Sequence, residues 1–290
     1  MLECVINVSE GRRLDVVELI ARNGGRELLD LHTDADHHRS VITVVGESAA
    51  RAVTTAAVLA LDLRDHTGVH PRLGVVDVVP FVPFDSAPLD SAPLDSAPLD
   101  SAPLASAPLA SAPLAPAREA RDRFGEWLAA ELGVPSFRYG PERSLPEVRR
   151  RAFVDLAPDF GPAQPHPTAG ATALGARPVL VAYNVWLTND DLEEARRVAT
   201  AVRGPHVRAL GLPVAGRVQV SMNLIDPDVV GPDAAYDAVA ARAPVERAEL
   251  VGLIPATVLD RIPPDRWAQL DLSMDRTIES RLAASGIDAD

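Results

Sequence analysis

The stretch ECVINVSEGRRLDVVELIARNGGRELLDLHTDADHHRSVITVVGESAARAVTTAAVLAL, Glu3 to Leu61, switches its apolar period from two to 3.6 and back as it is read. Strand-like alternation covers Glu3–Val8, and a helical face follows near Leu14–Arg22. Strands return at Glu27–Leu31 and Ser40–Val45, then a helix at Ser48–Leu61, and the run VVDVVPFV supplies a further strand, Val75–Val82. This β-α-β-β-α-β order predicts a ferredoxin-like plan, with helices on one face of a mixed sheet. An amphipathic helix, Arg118–Leu132, and a short strand, Ser136–Tyr139, begun by Pro135, add one more α-β pair.

Toward the C-terminus the pattern recurs in a smaller version. The apolar run Pro178–Asn184 is followed by a helix from Asp190 to Arg203, with Thr188 as its expected cap and Asp191 completing a capping box. Strand Val218–Leu224, helix Pro232–Ala241, strand Leu250–Ile254 and a last helix around Thr277–Ala284 complete it. The Pro- and Gly-rich tract Ala157–Gly175 reads as the crossing between two units, 1–176 and 177–290. The expected fold class is α/β (α+β): two ferredoxin-like subdomains with a ligand groove between them.

A pentapeptide repeat interrupts the first unit: DSAPL four times from Asp85, then ASAPL twice, ending at Leu114. Proline at every fifth position blocks both helix and central strand, so the repeat is expected to be an extended or disordered insertion in a surface loop, without chemistry.

Composition removes several function classes. The single cysteine, Cys4, excludes an internal disulfide and zinc or redox sites that need paired thiols. All 28 basic residues are arginines, so lysine Schiff bases and the lysine of a P-loop are absent. A formal charge of −13 argues against nucleic acid but leaves small anionic ligands open, since a few arginines in one cleft can hold carboxylates. No apolar run approaches the roughly 18 residues of a spanning helix, and Met1 leads straight into strand-like sequence, so no membrane partner and a cytosolic location are expected.

Five of the seven histidines, His32, His37, His38, His66 and His70, fall between Asp30 and Pro71. The run DADHHR offers metal-ligand types at Asp34, Asp36, His37 and His38, but no specific metal spacing; turn hydrogen bonds are the plainer use. His66 and His70 are four apart, yet Gly68 and Pro71 argue for a loop rather than one helix face. A loop histidine ahead of an apolar strand, as His70 is beside Pro71 and Arg72, suits a proton shuttle, and a structural or exposed histidine fits as well. No nucleophile elbow and no dinucleotide fingerprint are present. The tract PDFGP at Pro158–Pro162 can make a rigid turn for ligand contact or serve as a linker.

Several ordered blocks carry a resemblance: ECVINVSEGR from Glu3, LLD and DADHHRSV from Leu28, HPRLGVVDVVPFVP from His70, APDFGP from Ala157, GARPVLVAYN from Gly175, QVSMNL from Gln219 and LVGLIP from Leu250. Together they resemble the formiminotransferase domain. The resemblance implies a two-lobed homodimer that moves a formimidoyl, or a formyl, group between tetrahydrofolate as co-substrate and glutamate, within one-carbon metabolism and histidine degradation, without a metal. It implies His70 as the catalytic acid/base and a folate-contacting segment through Gly161, Pro162, Pro167, Thr168 and Gly170. Asp77 is given a supporting role, and Arg39 and Arg72 are candidates for the substrate carboxylates. Thr67 and Val69 replace a lysine and a glutamate usual in the family, and His32 stands where animal enzymes carry an acidic residue. Two alternatives remain: a folate-binding paralogue without activity, and a metal-dependent hydrolase of formimidoylglutamate built on Asp34 to His38.

Overall fold

A computed structural model describes residues 1–67, 72–84 and 114–287. His70 and almost the whole pentapeptide repeat lie outside the described residues.

Strands β1 (Leu2–Val8), β2 (Leu28–Asp34), β3 (Arg39–Val45) and β4 (Val76–Pro83) join in the order β2-β3-β1-β4, all antiparallel. Two helices, α1 (Leu14–Arg22) and α2 (Glu47–Ala60), complete the expected unit. Alternation decides which face is buried: Cys4, Ile6 and Val8 join Ile42, Val44, Val79 and Phe81 in one apolar layer beneath the helices. The start of α1 is secured by Glu10, whose Oε1 accepts from the Gly11, Arg12 and Arg13 backbone N–H groups at 2.8–3.1 Å.

The sheet then grows beyond the expected single added strand. Helix α3 (Ala115–Leu132) leads to β5 (Ser136–Tyr139), helix α4 (Leu145–Arg151) follows, and β6 (Thr172–Ala176) inserts between β4 and β5, parallel to both. The tract read as a crossing loop thus ends in a strand. Its residues, TALGA, are all buried, since both faces are covered. Helix α3 shares the face of α1 and α2, through Ala117, Phe124 and Leu128. Helix α4 packs on the opposite face, its Val148 against Val78, Phe137, Tyr139 and Ala173. Helices therefore occupy both faces here, a departure from the one-sided expectation.

The second sheet holds β7 (Val181–Leu187), β8 (Val207–Val214), β9 (Arg217–Leu224) and β10 (Val245–Val251) in the order β10-β7-β9-β8. With α5 (Leu192–Val202) and α6 (Pro232–Ala240), it repeats the plan of β1 to β4 strand for strand. Strand β8 is an addition to the sequence reading. Asp191, not Thr188, caps α5, accepting from Glu193 N and Glu194 N, while the Thr188 hydroxyl donates to Pro244 O. The repetition extends to an irregularity. Asn7 opposes Val78 and Val8 opposes Val76, leaving Asp77 as the extra residue of a bulge; Trp186 opposes Arg247 and Leu187 opposes Val245, leaving Glu246 in the same place.

After a short α7 (Ala256–Leu259), the chain returns to the first sheet. Helix α8 (Ile278–Ala284) lays Ile278 and Leu282 on Leu29, Val45 and Phe84, with Leu253 joining the cluster from the second unit. Among the described residues no helix is long and apolar enough to cross a membrane.

Candidate active site

The open face of the first sheet is floored by Asp77, whose side chain is fully buried. The bulge turns it out of the apolar layer that its neighbours Val76 and Val79 enter. Oδ1 accepts from Leu73 N at 2.8 Å; Oδ2 accepts from Arg39 Nη1 at 2.7 Å and from Arg149 Nη2 at 2.5 Å. Burial alone would raise its pKa, but the two guanidiniums and the Leu73 N–H outweigh burial and hold it below the usual carboxylate range. Arg39 also donates through Nε to Asn7 Oδ1 at 3.0 Å. The carboxylate thus ties β3, β4, α4 and Leu73.

Beside it, Arg72 Nη1 lies 3.0 Å from His66 Nε2, which is also 3.1 Å from His38 O. The His66 and His38 rings stack with centroids 4.0 Å apart. Gly11 N donates to His38 Nδ1 at 3.1 Å, a bond that requires an unprotonated nitrogen. Burial, with Arg12 and Arg72 adding to it, lowers the His38 pKa against the pull of Glu10. Burial likewise lowers that of Arg72, opposed by Asp77.

The candidate folate segment divides between two places. Thr168 and Gly170 sit in the turn after His166, which bonds to chain on either side of residues 68–71: Leu63 N donates to Thr168 O at 2.7 Å, and Ala171 N to Leu73 O at 3.0 Å. Gly170 has φ +72°, and a Cβ there would stand 2.4 Å from Leu73 O, so only glycine allows this approach. Pro167 is exposed on the same turn, beside His166. Gly161 and Pro162 lie elsewhere, where α3 passes into β5: a Cβ on Gly161 would meet Pro135 Cα at 3.1 Å.

The Asp34 to His38 run forms a turn. Asp34 Oδ1 accepts from Asp36 N and His37 N, and Oδ2 meets His37 Nδ1 at 2.7 Å. Burial would raise the Asp34 pKa, but these bonds hold it at about 2. His38 turns away to Gly11. Among the described residues no three His, Cys, Asp or Glu side chains converge on a metal position.

Two cavities border this region. One of about 580 Å³ is lined by Arg12, His38, Leu61, His66 and Thr168 at the rim of the first unit. The other, about 630 Å³, opens between the edge strands β2 and β10 and is lined by Asp30, His32, Arg247, Glu249, Asp271 and Arg276. Arg39, Arg72 and Asp77 line neither. His32 Nε2 faces Glu249 Oε1 across this second cavity at 3.6 Å, and Trp186 Nε1 donates to Glu249 Oε2 at 2.9 Å.

Residues 1–177 match the family model of the formiminotransferase domain, N-terminal subdomain. The chain belongs to the formiminotransferase family. It is similar to the glutamate formimidoyltransferase of Streptococcus pyogenes, 32% identical over 89% of this chain and 90% of that protein. The glutamate formimidoyltransferase of Thermoplasma acidophilum is 34% identical over 89% of both. The formimidoyltransferase-cyclodeaminase of Sus scrofa is 32% identical over 89% of this chain and 51% of that longer protein. In this formiminotransferase-family chain the seven sequence blocks single out Asp77 and the strand mouth, but not Arg149 or the His38–His66 stack. A lone acid in the apolar run VVDVVPFV was the available signal that a cation must meet it.

Proposed function

We propose that this chain is a glutamate formimidoyltransferase, which moves a formimidoyl group between glutamate and tetrahydrofolate. One observation carries the reading: two glutamate formimidoyltransferases match it over 89% of its length. In the direction written from the folate, the glutamate amine attacks the formimidoyl carbon of 5-formimidoyltetrahydrofolate. A tetrahedral intermediate forms; the bond from carbon to the folate nitrogen breaks, and that nitrogen leaves with a proton. His70 takes the proton from the attacking amine and returns one to the leaving nitrogen, work suited to an imidazole of reference pKa ~6.5. Asp77 supports this role by holding Leu73 N, three residues beyond His70. Thr168 and Gly170 carry the folate from the neighbouring turn, and Arg39 and Arg72 face the substrate carboxylates. The reading includes a homodimer in the cytosol, units divided at residue 176, and formimidoyl rather than formyl as the group transferred.

The test is folate-dependent transfer from formimidoylglutamate by wild type and His70→Ala, with bound metal assayed alongside. Activity that requires tetrahydrofolate and drops about 10²–10⁴-fold in the variant is expected. Folate binding without turnover would replace the reading with an inactive paralogue, and folate-independent, metal-dependent release with a hydrolase.

A further inference from the structure

Arg149 appears in none of the family blocks, yet it reaches the same oxygen as Arg39. Helix α4 places it: Val148 is buried against β5 and β6, and the next side chain passes over the open face to Asp77. Its neighbours in the run RRR have other engagements. Arg150 is exposed, and Arg151 pairs with Glu147 and Asp155. Asp77 Oδ2 therefore receives two guanidiniums, from Arg39 and Arg149, whose side chains keep 15% and 18% of their exposure. The Arg149 Nε is buried and has no partner among the described residues. Burial lowers the pKa of Arg149, and Arg39 adds to this against the pull of Asp77 and Tyr139. A guanidinium so placed gains from a second anion, and its planar fork matches a carboxylate. Asp77 cannot supply that second charge; it fixes the orientation of the fork instead.

We propose that Arg149 is a specificity-determining residue of the transfer reaction, binding a carboxylate of a glutamyl group over Asp77. The inference rests on the transferase reading above and names a contact within it. Two molecules carry that chemistry: the amino-acid substrate, and the glutamyl tail of tetrahydrofolate.

The experiment compares wild type, Arg149→Met and Arg149→Lys as full-length chains, with thermal melts alongside. KM is measured for formimidoylglutamate, for tetrahydrofolate and for tetrahydropteroate, which lacks the glutamyl group. In Arg149→Met the KM of one glutamyl-bearing substrate rises about tenfold or more while kcat changes little, and lysine recovers part of the loss. A rise confined to formimidoylglutamate assigns the amino-acid substrate; a rise for tetrahydrofolate but not tetrahydropteroate assigns the folate tail. Three unchanged KM values, a fall in kcat alone, or equal rises for tetrahydrofolate and tetrahydropteroate overturn the proposal. Should the methionine variant not fold, the lysine variant decides by the same criteria, since it keeps the charge and loses the fork. A wild type without folate-dependent transfer defeats the transferase reading rather than this contact. Calorimetry with glutamate then decides the contact alone: binding by wild type that Arg149→Met loses supports it, and equal or absent binding overturns it.

Discussion

Arg39 with Asp77 in the first unit and Arg217 with Glu246 in the second occupy matching positions of one repeated plan. Each arginine begins the third strand of its unit, and each acid is the extra residue of the bulge beside it. Their surroundings separate them. Asp77 is fully buried and shared with Arg149 and Leu73 N, whereas Glu246 and Arg217 each keep 39% of their side-chain exposure, and Arg217 also reaches out to Asp190. The first unit alone carries α4 and the two added parallel strands, and α4 brings Arg149 as a second cation onto its acid. The same pairing is thus a surface contact in one unit and a buried charge cluster in the other, where desolvation multiplies what each charge costs and what each partner returns.

The most severe way to break this contrast is Asp77→Asn, which leaves Arg39 and Arg149 against a neutral amide. It should cost about 3–5 kcal/mol in urea denaturation and abolish transfer, the range expected when one partner of a buried pair is removed. An intact melt would show that the cluster is not what holds the open face together. Next comes Glu3, on the open face of β1, where the second unit has Ala182. Burial raises its pKa to about 7, with Glu279 adding and Arg177 opposing. The folded chain therefore keeps a proton that the unfolded chain releases from about pH 4.5 upward. Stability should fall across pH 4.5 to 7 by up to about 3 kcal/mol and then level off. Glu3→Gln should flatten that slope and be the more stable protein at pH 8; an unchanged pH profile of melting would remove Glu3 from the account.

Gly175→Ala sharpens the contrast at the added strands. A Cβ there would stand 2.2 Å from Tyr139 Cζ, so the ring must move off the open face. A loss of about 1–3 kcal/mol is expected. A chemical denaturation midpoint equal to wild type would mean the ring yields freely. Smallest of all, Glu246→Gln should leave the melting temperature within the scatter of the measurement and activity at the wild-type level. A clear drop in either would erase the difference between the units.

Where side chains alternated or kept a helical face over many residues, the sequence was legible, and β1, α1, β3, α2, β4 and α3 lay within a few residues of expectation. Strand β8, VRALGLPV, contains Gly211 and Pro213, residue types that weaken a strand pattern. Gly211 is there for packing instead: a Cβ would stand 2.4 Å from Arg196 N on α5. Pro213 is tolerated because β8 is the edge of its sheet and needs no donor on its outer side. Strand β6, TALGA, has one β-branched residue, Thr172, and α4 is too short for periodicity. At the site, the histidine cluster and the run around Asp77 were visible as motifs. Arg149 was not, since it meets Asp77 from 72 residues away through a helix with no pattern of its own.

The return of α8 to the first sheet also sets a waiting time. A ribosome makes Leu29, Val45 and Phe84 early, and the residues that cover them, Ile278 and Leu282, roughly 190 residues after the last of the three. At about 5–20 residues per second, that apolar patch stands open for on the order of ten to forty seconds in every round of synthesis. During that interval, nascent chains crowded on one message are most apt to stick to each other, and a holdase that shields the patch until Leu282 emerges should raise the yield of native protein.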